Sequence, residues 1–180
     1  MVNEIEPNQL ESNKRTDYLD WDDYFMAMAH LASLRSKDPV TQVGTCIVNT
    51  EKKIVGIGYN GMPTGCNDDL MPWTKNGDTP LDNKHLYVCH AEMNAIANRN
   101  SADVKNCSLY TTLFPCNECA KLIIQSGIRE VIYCNIKSPD STMNRASKRM
   151  LDMVNIIQRE FCPKRDKIII DFTEKKSTLV

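Results

Sequence analysis

The chain has 180 residues, enough for one domain around one core. Apolar residues make up 42% and charged residues 25%, an ordinary balance for a globular protein. A formal net charge of −1 leaves no basic excess for gripping a nucleic acid polymer, so a small-molecule substrate is favoured.

Residues 1–16 are polar, lack the apolar run of a signal peptide, and read as a loose N-terminal arm. No stretch approaches the roughly 20 apolar residues of a membrane span. The eight cysteines read as thiols and metal ligands of a cytoplasmic protein, not as a disulfide framework. A first helix is expected over residues 21–34, with Trp21, Tyr24, Phe25, Met28, Ala29, Leu31 and Ala32 at helical spacing. Asp20 suits its N-cap, and Asp22 and Asp23 complement the helix dipole. Asp38-Pro39 starts a turn.

Two β-rich runs, 42–48 and 53–59, joined by a short connection, predict an antiparallel hairpin. Gly56 and Gly58 in the second run imply close approach by another backbone. Residues 60–88 form a long connection rich in Gly, Pro, Asn and Asp, a length usually reserved for function. Helices are then expected at 90–97, 116–125 and 141–153, alternating with strands at 108–112, 130–134 and 167–172. This alternation predicts an α/β sandwich around a mixed sheet of about five strands. The single domain spans 17–172, followed by a polar tail over 173–180.

The chemistry lies in a split motif, His90-Ala91-Glu92 and then Pro115-Cys116-Asn117-Glu118-Cys119. Cys116 and Cys119 stand at the start of an expected helix, three apart and therefore on one face. A helix N-terminus also favours the thiolate, and Pro115 is preset to enter the helix. One histidine and two thiolates make three ligands for tetrahedral zinc, with the fourth position left for water. Bound water acidified toward a pKa of ~7 supplies hydroxide, and Glu92 is suited to carry its proton. A structural zinc knuckle needs a fourth ligand, and no second Cys-x-x-Cys or paired histidine follows. The joint pattern His-x-Glu with Pro-Cys-x-x-Cys is that of zinc-dependent nucleobase deaminases.

The chain resembles the cytidine and deoxycytidylate deaminase family, and within it the branch acting on dCMP. The resemblance runs from about residue 17 to 172. Beyond the zinc motif it is carried by Trp21-x-x-Tyr24-Phe25-Met26, Arg35-Ser36-Lys37-Asp38-Pro39, Gln42-Val43-Gly44 and Gly58-Tyr59-Asn60-Gly61-Met62-Pro63. Leu113-Phe114-Pro115-Cys116-Asn117-Glu118-Cys119 completes it. It implies a three-layer α/β/α sandwich and hydrolysis of dCMP to dUMP, the precursor for thymidylate synthesis. It implies His90, Cys116 and Cys119 as zinc ligands and Glu92 as proton shuttle. It further implies a homohexamer activated by dCTP with magnesium and inhibited by dTTP. A free-cytidine deaminase and a catalytically idle nucleotide-binding regulator are the competing readings. Retention of Glu92 argues against the idle one.

On the substrate side, Arg35 and Lys37 follow the first helix, a corner suited to a monophosphate. Asn60 is a candidate for the sugar, and by resemblance Tyr59, Asn60 and Gly61 belong with the triphosphate regulator. Ser138-Pro139 stands where vertebrate-like relatives carry Tyr-His, in a loop expected over the substrate. Cys46, Cys107 and Cys134 read as small buried residues and His30 as packing or surface. Cys66, His85 and Cys89 lack the spacing of a second metal site.

Overall fold

The computed structural model describes residues 14–173, so most of the expected arm and tail lie outside the described residues. Helix α1 (Trp21–Ser33) starts where the Asp20 carboxylate accepts the Asp22 backbone N–H. Strands β1 (Gly44–Val48) and β2 (Ile54–Tyr59) form the expected hairpin. Short 3₁₀ turns at Pro80–Asp82 and Lys84–Leu86 order the long connection. Then come α2 (Ala91–Ala97), β3 (Ser108–Leu113), α3 (Asn117–Gln125), β4 (Glu130–Asn135), α4 (Thr142–Met153) and β5 (Ile157–Glu160).

The five strands form one mixed sheet in the order β2-β1-β3-β4-β5. β1 is antiparallel to β2 and β3, while β3, β4 and β5 are parallel. Alternate side chains of the strands feed two cores. Cys46, Val48, Tyr110 and Ile132 pack with Phe25, Met26 and Ala29 of α1 on one face. Ile47, Leu109 and Val131 pack on the other face with Ala95 of α2, Ile123 of α3 and Leu151 of α4. The result is the expected three-layer sandwich. Among the described residues no helix is long and apolar enough to cross a membrane.

Glycine sets how closely helices approach the hairpin. A Cβ on Gly58 would stand 2.3 Å from Ala95 N and 2.4 Å from Ala91 O, both backbone atoms of α2. The reading of Gly58 as a point of close approach is therefore borne out, and α2 is the element seated there. Gly58→Ala must push α2 off the sheet, and overpacking of this kind costs about 3 kcal/mol. Denaturant unfolding is expected to show that loss as a lower midpoint with an unchanged slope.

The last strand departs from expectation. Residues 167–172 form no strand, and their side chains reach solvent, with Ile169 74% and Phe172 95% exposed. The fifth strand is Ile157–Glu160, paired parallel to β4. Its sequence lacks an apolar run because it lies at the sheet edge. There Arg159 makes ion pairs with Asp22 and Glu130 at 2.8 and 2.9 Å. Backbone ladder and charge select the strand, whereas the isoleucines of 168–170 carry only the propensity.

Candidate active site

The parallel β3-β4 pair places α2 and α3 on one face of the sheet, packed together with their N-termini side by side. His90 is the N-cap of α2 and Cys116 the N-cap of α3, so residues distant in sequence converge. His90 Nδ1 lies 3.4 Å from Cys116 Sγ and 3.4 Å from Cys119 Sγ. Each of the three offers a ligand atom, all within 4.8 Å of one another, the only such group among the described residues. Tetrahedral zinc with bonds of about 2.0–2.3 Å sets its ligands about 3.4–3.8 Å apart, so this donor set fits zinc in both chemistry and spacing. Behind Cys116, the buried Ser147 hydroxyl of α4 donates to the Pro115 carbonyl at 2.7 Å.

Glu92 lies on the first turn of α2, 4% exposed, with Oε2 3.4 Å from Cys119 Sγ. Burial pushes its carboxyl above the ordinary range, the direction needed by a group that both takes and gives a proton near neutrality. The sulfurs are polarised against each other. The neighbouring Cys119 side chain, with further help from the His90 ring, lowers the Cys116 pKa to about 3. Cys119, buried beside Cys116 and donating to Glu92 Oε2, is pushed up. The hydrogen bond to Cys116 raises His90.

These groups open into a cavity of about 370 Å³ lined by Thr41, Val43, Asn60, His85, Val88 and His90, by Glu92, Phe114 and Cys116, and by Lys75, Lys137 and Ser138. Phe114 is held edge-on by Tyr133, with ring centroids 4.9 Å apart, and gives the cavity an apolar surface suited to a flat ring. A sequence profile of the cytidine and deoxycytidylate deaminase zinc-binding region matches residues 19–135. The chain belongs to the cytidine and deoxycytidylate deaminase family. It is 59% identical to deoxycytidylate deaminase of Mus musculus over 92% of this chain and 93% of that protein. Identity to the Homo sapiens deoxycytidylate deaminase is 58% over the same shares. The crystal structure of dCMP deaminase from cyanophage S-TIM5 with dCMP and dUMP superposes with a TM-score of 0.61 at 26% identity. That likeness covers 77% of this chain and 94% of that one.

The structure brings together His90, Cys116, Cys119, Glu92 and Asn60. Arg35, Lys37, Tyr59 and Gly61 do not line the cavity. Lys37 instead pairs with Asp68. The Arg35-to-Pro39 motif still builds the wall, because the Ser36 hydroxyl donates to the Asn60 carbonyl at 2.8 Å. Gly61 pairs its backbone with Cys89, which runs the Gly-Tyr-Asn-Gly segment alongside the residue before His90. Asn60 accepts from Val43 N–H at 2.8 Å and donates to the Thr41 carbonyl at 3.0 Å. An amide has two donors and two lone pairs, so each end keeps one for a ligand.

The Ser138 loop does lie at the cavity, together with Lys137. Lys75 and the role of Lys137 carry no sequence signal, because nothing periodic marks a loop residue that faces a site. Cys46 and Cys107 are buried as expected. Half-buried Cys134 lies 3.4 Å from His30 Nε2 on the opposite side of the sheet.

Proposed function

We propose that this chain hydrolyses dCMP to dUMP and ammonia, with zinc held by His90, Cys116 and Cys119. The observation that carries the reading is the convergence of those three donors beside a cavity that His90, Cys116 and buried Glu92 line. The names of the mouse and human relatives support dCMP over other cytosine compounds. Zinc supplies a Lewis acid and an acidified water at neutral pH. Glu92 takes one proton from the water that adds to C4 and passes it to N3, where it stays. It then takes the second proton, from the new C4 hydroxyl, and gives it to the departing amino group, so that ammonia leaves and a C4 carbonyl remains. Phe114 and Val88 enclose the ring and keep bulk water from it.

In this reading Lys75 and Lys137, the two lysines on the cavity wall, hold the 5′-phosphate, and Asn60 bonds the sugar. Arg35 and Lys37 take no direct part. Tyr59, Asn60 and Gly61 remain the segment for the dCTP–magnesium activator and the dTTP inhibitor, in a homohexamer. A cytoplasmic setting accords with eight free cysteines.

Ammonia release from dCMP, CMP, deoxycytidine and cytidine, with dCTP and magnesium present, tests the reading. Turnover of dCMP is expected to dominate. Lys75→Gln and Lys137→Gln should each raise KM for dCMP about tenfold while leaving deoxycytidine unaffected. Preferred turnover of the free nucleosides would overturn the substrate assignment.

A further inference from the structure

The long connection between β2 and α2 is pinned from beneath by an ion pair that no catalytic step uses. Lys84 Nζ lies 2.6 Å from each oxygen of Asp38, and the two side chains are 3% and 5% exposed. Lysine is almost never buried this completely without a partner, because an unpaired ammonium in the interior is costly. The pair spans two walls of the cavity.

On the Asp38 side, Oδ1 also accepts the backbone N–H groups of Val40 and Thr41 at 2.8 and 3.1 Å. Thr41 lines the cavity, and its carbonyl takes the Asn60 amide. On the Lys84 side, the backbone N–H donates to the Thr74 carbonyl at 2.8 Å, one residue before Lys75. Lys84 also opens the 3₁₀ turn that carries His85 into the cavity wall. One buried carboxylate is therefore the shared anchor for Thr41, Asn60, Lys75 and His85, the non-zinc side of the site. The zinc donors and Glu92 sit on the first turns of α2 and α3 and make no hydrogen bond to the pair itself.

We infer that Lys84 and Asp38 are positioning residues that set the spacing between the Asn60 wall and the Lys75–His85 wall, and so determine discrimination for the phosphorylated substrate. The inference rests on the assignment of this cavity to dCMP. A strut of this kind acts on remote binding and not on the reacting atoms, so its loss falls on KM. Replacing one partner strands a buried charge, whereas replacing both restores stability without restoring the link. The double variant Asp38→Asn/Lys84→Met keeps the acceptor for Val40 and Thr41 and removes only the bridge.

The test compares zinc-loaded wild type, Lys84→Met and the double variant for melting temperature, zinc content, and kcat and KM with dCMP and deoxycytidine. The double variant is expected to melt close to wild type with full zinc. Its kcat should be retained, and the dCMP-over-deoxycytidine preference in kcat/KM should fall about tenfold, the scale of a small misplacement of binding groups. If Lys84→Met does not fold, the double variant carries the test alone. An unchanged preference in the double variant overturns the inference and makes the pair purely structural. Absence of dCMP turnover in wild type overturns the substrate reading instead.

Discussion

Glu92→Gln is expected to lower kcat on dCMP by about four orders of magnitude while leaving zinc content and melting temperature unchanged. The substitution keeps the shape of a side chain that is 4% exposed and leans toward Cys119. It removes the capacity to take a proton and give it back. The ligand set is untouched, because His90, Cys116 and Cys119 supply the metal's donors without the carboxylate. Burial already drives the Glu92 carboxyl upward, so the neutral amide adds no new desolvation cost. Initial rates at saturating dCMP, metal analysis and a thermal melt on the same preparation check all three points. A variant within about tenfold of wild type would move the proton shuttle to another group.

The second large effect is at the metal. Cys119 is 1% exposed and in contact with both His90 and Glu92, so Cys119→Ala removes a donor that no neighbouring group replaces. Zinc content and turnover are expected to collapse together. Because the ion ties the N-terminus of α2 to that of α3, its loss also loosens the packing of two helices on the sheet. Chelation of the wild-type zinc should lower the melting temperature by on the order of 10 °C, as expected for a ligand that binds only the folded state. Cys66→Ala, at an exposed loop cysteine, should change neither zinc content nor rate. Retained zinc and activity in Cys119→Ala would contradict the assigned ligand set.

The zinc donors and the proton carrier were legible because they are local and chemically distinctive. Helix starts after strands lie at one sheet edge in a parallel βαβ arrangement, so His90 and Cys116 had to meet there. The layered fold was legible for a related reason: an unbroken apolar run such as Cys46-Ile47-Val48 marks a strand buried on both faces, and helices alternate with strands along the chain. What the sequence hid is what loops decide. Arg35 and Lys37 sit in a motif of the right type, yet their heads lie outside the cavity while backbone and Ser36 do the wall-building. Lys75 and Lys84 occupy a stretch with no period, and only tertiary pairing with Asp38 determines which lysine is buried and which faces the site. β5 was hidden because an edge strand needs no apolar signature, and the isoleucine run after it drew the assignment away.

Hydrolytic deamination at this site requires water to add to C4 of a cytosine nucleotide in the cavity formed by His90, Glu92, Phe114 and Cys116. Incubating the zinc-loaded protein with dCMP in ¹⁸O-labelled water and weighing the product by mass spectrometry tests this directly. The predicted result is dUMP carrying one heavy oxygen on the base, with ammonia released in equal amount. Unchanged dCMP, or a product formed without solvent oxygen, would contradict hydrolytic deamination at this site.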